Sequence, residues 1–128
     1  FNDHHGHDAG DIVLREVGAL MREVFTHPLA PCRLGGEEFV ALLPGLDHAA
    51  ALEIAETFRM ALSELELAYG DGKLPRITAS AGVTSYPACG EHVADMVKHA
   101  DLALYKAKDQ GRNRVVSAPG DAGQIAAE

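Results

Sequence analysis

A mixed α/β (α+β) fold is predicted by three observations. Two helical stripes flank a short β-hairpin, a third stripe follows a strand rich in Thr, Val and small residues, and Gly or Pro punctuates the transitions. The order is helix, strand, strand, helix, strand, then a further helix and strand. That is the βαββαβ pattern of a ferredoxin-like sheet with its first strand missing from this chain. A strand supplied from before Phe1 is therefore expected, and the opening on Phe instead of Met suggests a piece of something longer.

Val13, Val17, Leu20, Met21 and Val24 fall on one helical face, which predicts a helix from about Asp8 to Phe25, ending near Pro28. Cys32 to Leu34 and Phe39 to Leu43 are short apolar runs joined across Gly35-Gly36, a pair tolerant of positive φ, so they predict a hairpin. Asp47 is placed to cap a long helix whose inner face carries Ala51, Leu52, Ala55, Phe58, Leu62 and Leu65, until residues 69–72 break it. A loop leads to a strand over Ile77 to Tyr86, bent at Gly82. Val93, Met96, Val97, Ala100, Leu104 and Ala107 form the stripe of a helix that stops at Gly111, and Val115-Val116 closes a last short strand. The folded domain is expected over 1–116, with 117–128 a flexible tail lacking periodicity.

The 128 residues, 47% hydrophobic, suffice for one packed core, and a formal charge of -8 argues against binding a nucleic acid polymer or an anionic membrane. An anionic ligand would need local help from Lys, Arg or metal ions. No apolar run reaches membrane-spanning length and no targeting peptide is recognisable. Cys32 and Cys89 show neither a CxxC spacing nor a His partner, so neither a disulfide framework nor a thiol nucleophile is expected, and the reducing cytoplasm is the expected compartment.

Glu37 and Glu38 stand directly behind the diglycine. Two carboxylates this close repel one another, which invites a hard divalent cation whose remaining ligands come from phosphate oxygens. The plainer alternative is a pair of solvated acids at a hairpin tip. Lys108 and Arg112, four apart where Gly111 ends a helix, lie in a stretch from 98 to 114 that holds five of the eleven basic residues. This is a candidate phosphate grip, with compensation of the helix dipole as its alternative. The opening FNDHHGHDAGD is rich in His and Asp but lacks the ligand spacing of a structural zinc site. A helix entry, with Gly6 in the turn and Asp8 or Asp11 near the N-terminus, accounts for most of this stretch, while Asn2 and Asp11 equally suit the edge of a base, since Asn both donates and accepts and Asp accepts twice, matching the donor edge of guanine. GxSxG, Walker and GxGxxG patterns are absent.

Taken together, NDHHGHDAGD at 2–11, RLGGEEF at 33–39, SAGV at 80–83 and HADLALYKAKDQGRN at 99–113 resemble the GGDEF family of diguanylate cyclases over about residues 1–116. The resemblance implies a palm-type α/β domain that condenses two GTP into cyclic di-GMP, with Mg²⁺ or Mn²⁺ as cofactor and each subunit of a homodimer presenting one GTP. It maps metal-binding and catalytic carboxylates to Glu37 and Glu38, guanine contacts to Asn2 and Asp11, and phosphate contacts to Lys108 and Arg112. Gly35 and Gly36 would allow close approach of backbone and substrate. It further implies a sensory or regulatory domain outside this sequence. A metal-binding Asp and a phosphate loop upstream of Asn2 belong to the family pattern and are missing here, so the chain as it stands is expected to be weak or inactive. The RxxD feedback positions read Thr26-His27-Pro28-Leu29, and no product inhibition through them is expected. The alternative, from another class, is a catalytically silent GGDEF-like module that binds GTP or a protein partner.

Overall fold

The computed structural model describes residues 2–35, 37–70, 72–86 and 92–118, and for 2–8 and Tyr69 the backbone only. It is an α+β fold with elements in the order α1 (Asn2–Val24), β1 (Ala30–Gly35), β2 (Glu38–Leu42), α2 (His48–Ser63), β3 (Ala68–Tyr69), β4 (Gly72–Lys73), β5 (Ser80–Val83), α3 (Val93–Asp109) and β6 (Arg114–Ser117). Among the described residues the strands make three pairs, β1–β2, β3–β4 and β5–β6, and the hairpin shares no ladder with β5–β6. No described helix is long and apolar enough to cross a membrane.

Helix α1 begins six residues earlier than the apolar stripe predicts, because nothing between Asn2 and Asp8 except Gly6 opposes helix, and one glycine costs only about 1 kcal/mol. It buries Ala9 and Met21, and its end is fastened by Phe25, whose ring lies 5.7 Å from that of Phe58 on α2 in a tilted pair. Helix α2 starts as expected, with the Asp47 carboxylate accepting from the Ala50 N–H at 2.8 Å, and buries Ala51, Ala55 and Leu62.

Four features depart from expectation. Helix α2 stops at Ser63, and Ala68–Tyr69 pairs with Gly72–Lys73 as the antiparallel β3–β4; Leu65 and Leu67 alternate with Glu66, a strand rhythm that overlaps the end of the helical stripe. Leu65, Leu67 and Leu74 then pack with Ala9, Val13 and Ile77. The predicted strand over 77–86 shortens to Ser80–Val83. Of the stripe assigned to α3, Ala107 is fully buried as expected, but Val93 and Val97 are 74% and 43% exposed, and Ala103, outside that stripe, joins Ala107 in the core. Helix α3 is thus rotated toward its small residues, which lets its backbone lie close to β5. Finally, β6 runs to Ser117, and Ala118 is fully buried with its N–H donating to the Val83 carbonyl, so these two residues belong to the folded unit instead of a tail; 119–128 lie outside the described residues.

The β5–α3–β6 unit is a parallel pair with α3 as its crossover, in register Ser80↔Arg114 through Val83↔Ser117. Gly82 decides its packing. A Cβ there would sit 2.2 Å from the Ala100 carbonyl oxygen and 2.6 Å from the Leu104 nitrogen, so this glycine serves close approach of helix to strand and not a bend.

Candidate functional site

The hairpin tip is shaped by its backbone. β1 and β2 pair from Ala30↔Leu42 to Arg33↔Phe39, then slip so that Gly35 faces Glu38, a bulge that leaves Leu34 unmatched and 62% exposed. Gly35 has φ of +154°, which residues with side chains rarely adopt, and that is the local reason for a glycine there. Gly36 lies outside the described residues. Glu37 and Glu38 follow, both exposed, and among the described residues neither carboxylate has an ion pair or hydrogen-bond partner. Their donor set suits a hard cation such as Mg²⁺ in type, since both offer free carboxylate oxygens. It is incomplete in number: among the described residues no group of three or more His, Cys, Asp or Glu is gathered for a metal. Most of the roughly six ligands such an ion takes would come from substrate phosphates, water or other groups.

The basic end is built differently. Helix α3 terminates in a Schellman arrangement, with the Arg112 N–H donating to the Ala107 carbonyl at 2.9 Å and the Gly111 N–H to that of Lys108 at 3.4 Å. Gly111 takes φ of +119°, and Arg112 and Asn113 follow at +65° and +49°. Three successive residues of positive φ reverse the chain into β6. This places Arg112 beside Lys108, Tyr105 and Asp109 around an open hollow of about 290 Å³. Lys108 and Arg112 are both exposed, and their two cations plus the Asp109 carboxylate leave the hollow with excess positive charge.

The structure therefore brings Lys108 and Arg112 to one hollow and sets Glu37 beside Glu38, as the spacing predicts. No hydrogen bond or ion pair joins the two groups among the described residues. Asp11 is exposed on α1, in the same helix as Asn2, whose side chain lies outside what is described.

Two arrangements carried no signal in the sequence. Arg59 on α2 donates from Nε and Nη2 to the two carboxylate oxygens of Glu56 at 2.8 and 2.5 Å, and from Nη1 to Oδ1 of Asn113 at 2.7 Å. The bonds from Arg59 hold the Glu56 carboxyl below the usual carboxylate range, partial burial opposing them, and the same bonds raise Arg59. The second is His48, whose ring nitrogens bridge the hydroxyls of Ser85 and Ser117, the latter at 2.6 Å. It lies at the end of β6 away from Arg112 and so does not enter the basic hollow.

Residues 1–114 match the family model described as "Diguanylate cyclase, GGDEF domain". Among curated proteins the chain is 42% identical over 114 residues to Diguanylate cyclase A of Treponema denticola, covering 89% of this chain and 30% of that protein. It is 40% identical over 116 residues to the response regulator PleD of Caulobacter vibrioides, covering 90% and 26%. The chain thus spans about a third or less of these relatives. Among solved structures it is similar to the GGDEF domain of DgcB from Caulobacter crescentus in complex with c-di-GMP, with a TM-score of 0.86, 34% identity, and coverage of 93% of this chain and 68% of that one. It is also similar to the active GGEEF domain of a diguanylate cyclase from Vibrio cholerae, with a TM-score of 0.83, 34% identity, and coverage of 94% and 75%.

Proposed function

The chain belongs to the GGDEF-domain family, and on that premise we propose that it contributes the active site of a diguanylate cyclase. The reaction joins two GTP into cyclic di-GMP and releases two pyrophosphates, each 3′-hydroxyl attacking the α-phosphorus of the other nucleotide. The observation that carries this reading is the pair of exposed carboxylates, Glu37 and Glu38, without partners among the described residues and following the bulge at Gly35. A cation site needs oxygen donors that are not already neutralised, and the tip supplies two.

In this reading Glu37 and Glu38 would hold Mg²⁺ or Mn²⁺, which when bound would supply charge neutralisation and lower the proton affinity of the attacking hydroxyl. The family resemblance assigns to Glu37 the role of ligand and of the base that would accept that proton. Lys108 and Arg112 bind phosphate oxygens, an arrangement supported by their shared hollow, and offset the charge that grows on the departing pyrophosphate. Asn2 and Asp11 read guanine. No protein nucleophile is needed, which agrees with a site of carboxylates and cations alone. Because each chain presents one GTP, the reaction requires a homodimer, and a regulatory domain outside this sequence governs its encounter. The protein is proposed to act in the cytoplasm, where GTP and Mg²⁺ are abundant.

The test is to incubate the protein, extended at its N-terminus by the strand expected before Phe1, with GTP and Mg²⁺ and follow cyclic di-GMP by chromatography, with Glu37→Ala as control. Product that depends on Glu37 supports the enzyme. Equal turnover by Glu37→Ala shows the hairpin to be misassigned. Binding of GTP by the extended protein without product moves it to the second reading, a silent regulatory module.

A further inference from the structure

In the turn after Gly111, Arg112 adopts a backbone conformation that its side chain disfavours, and a side chain from another helix helps to hold the turn there. We propose that this side chain, Arg59, is a positioning residue that aims Arg112 at phosphate through Asn113. The proposal rests on the reading of Lys108 and Arg112 as the phosphate grip.

The argument begins with φ. Asn visits the left-handed region readily, whereas a long side chain such as that of Arg is disfavoured there by the clash of Cβ with the carbonyl. Arg112 and Asn113 nevertheless stand at +65° and +49° in sequence. Such a pair persists only where surrounding contacts over-determine it. Two of the contacts are local: the Schellman bond from the Arg112 N–H to the Ala107 carbonyl, and the Arg114 Nε bond to the Arg112 carbonyl at 3.1 Å. Both fix backbone on either side of Arg112, and neither ties the turn to the rest of the molecule.

The tie is Arg59. Its partner Asn113 lies 54 positions away in sequence, and the Nη1–Oδ1 distance is 2.7 Å. Arg59 is well suited to act as a fixed post because its other two nitrogens are occupied by both oxygens of Glu56, one helical turn back. A planar guanidinium held by two parallel bonds has little freedom left, and its side chain is only 18% exposed. The remaining N–H direction is therefore set by α2, and Asn113 is held to it. Fixing the Asn113 side chain fixes its left-handed backbone, and the Cα–Cβ direction of the preceding Arg112 follows. Arg59 does not line the hollow formed by Tyr105, Lys108, Asp109 and Arg112, so any influence on a bound phosphate passes through the turn.

The experiment measures binding of an unreactive α,β-methylene analogue of GTP, and of guanosine in competition, to the wild type, Arg59→Met, Asn113→Gly, Arg112→Ala and the double variants with Arg112→Ala. Arg59→Met and Asn113→Gly are each expected to weaken the analogue about fivefold, the worth of one ordinary hydrogen bond, and to leave guanosine unchanged. In the Arg112→Ala background neither substitution is expected to weaken the analogue further. Losses that multiply with that of Arg112→Ala, or that fall equally on guanosine, would mean a structural role only and overturn the proposal. If Arg59→Met does not fold, Asn113→Gly decides, because it leaves Arg59 and Glu56 intact and glycine accepts positive φ; wild-type affinity in that variant overturns the brace. If Arg112→Ala itself binds the analogue normally, the phosphate reading has failed, a result distinct from failure of the brace.

Discussion

The hairpin tip and the α3–β6 turn carry charges of opposite sign and are held in opposite ways. At the tip, the bulge and the positive φ of Gly35 do the shaping, and the Glu37 and Glu38 carboxylates are left without partners among the described residues. At the turn, the backbone is unfavourable, and side chains from α2 and β6 hold it through Asn113 and the Arg112 carbonyl. The difference suits the ligands proposed for each. Carboxylates that must take a cation cannot already be neutralised, while a cation that must meet a phosphate oxygen gains from a fixed direction more than from freedom.

The largest effect expected from this contrast is chemical. Glu37→Gln keeps size and polarity but removes the charge, so cyclic di-GMP formation should fall by about a hundredfold or more, as when a main electrostatic contact of a transition state is lost. Because Glu37 is exposed and has no partner among the described residues, stability to urea should change by less than about 0.5 kcal/mol. A variant that loses activity only in proportion to lost stability would show the tip to be structural, and the contrast would collapse.

Gly82→Ala strikes the other region. Its methyl would meet the backbone of α3 at Ala100 and Leu104, atoms that cannot step aside without moving the helix. A loss of about 2 kcal/mol in urea unfolding is expected, in line with overpacking of a close contact. Displacing α3 also displaces Lys108 and the turn, so affinity for a GTP analogue should fall with stability, unlike in Glu37→Gln. Unchanged stability would mean that the helix and strand are less closely seated than described.

The same contrast explains what the sequence could reveal. Glu37, Glu38, Lys108 and Arg112 stand out because each pair is local, adjacent or four apart, and such spacings survive in the string of letters. The Asp47 cap is equally local. Arg59 and Asn113 are not: each reads as a solvated polar residue, and only the packing of α2 against β6 makes them partners. Gly82 suggests a bend because an isolated glycine in a strand has two explanations, and the sequence does not contain the distance that separates them. The β3–β4 hairpin hides in the last turn of a helical pattern, since Leu62, Leu65 and Leu67 serve either period. For α3, the predicted stripe holds at Ala107 but not at Val93 and Val97, and Ala103 is buried in addition, because close approach to β5 favours small residues over the most apolar ones.

Asp47→Ala offers a smaller effect that refers to neither charged region. Losing the bond to the Ala50 N–H should cost about 1 kcal/mol of stability in urea. Activity per folded molecule should be unchanged, because the cap stands at the start of α2 while Arg59 lies farther along it. A fall in affinity for the GTP analogue matching that of Arg59→Met would instead show that the whole of α2, and not one side chain, sets the turn.

The smallest effect sharpens the comparison most, because it separates the post from what it holds. Glu56 has its carboxyl held below the usual value of 4.5 by the bonds from Arg59. A lowered folded value means that its stabilisation is fully present above the unfolded value and disappears as pH falls through the folded one. Arg59 stays charged throughout that range. The carboxylate is 45% exposed, so solvent screens the pair and its worth should be about 0.5 kcal/mol. Wild type should therefore exceed Glu56→Gln in stability by that small margin near neutral pH, with the two curves converging as pH drops below about 4. A difference that stays constant from neutral to strongly acidic pH would mean that Glu56 contributes shape and not charge. In Glu56→Gln the guanidinium keeps its bond to Asn113 but loses the carboxylate that steadies it. Affinity for the GTP analogue should then fall by less than in Arg59→Met, which places the decisive contact at Asn113 and leaves Glu56 as its support.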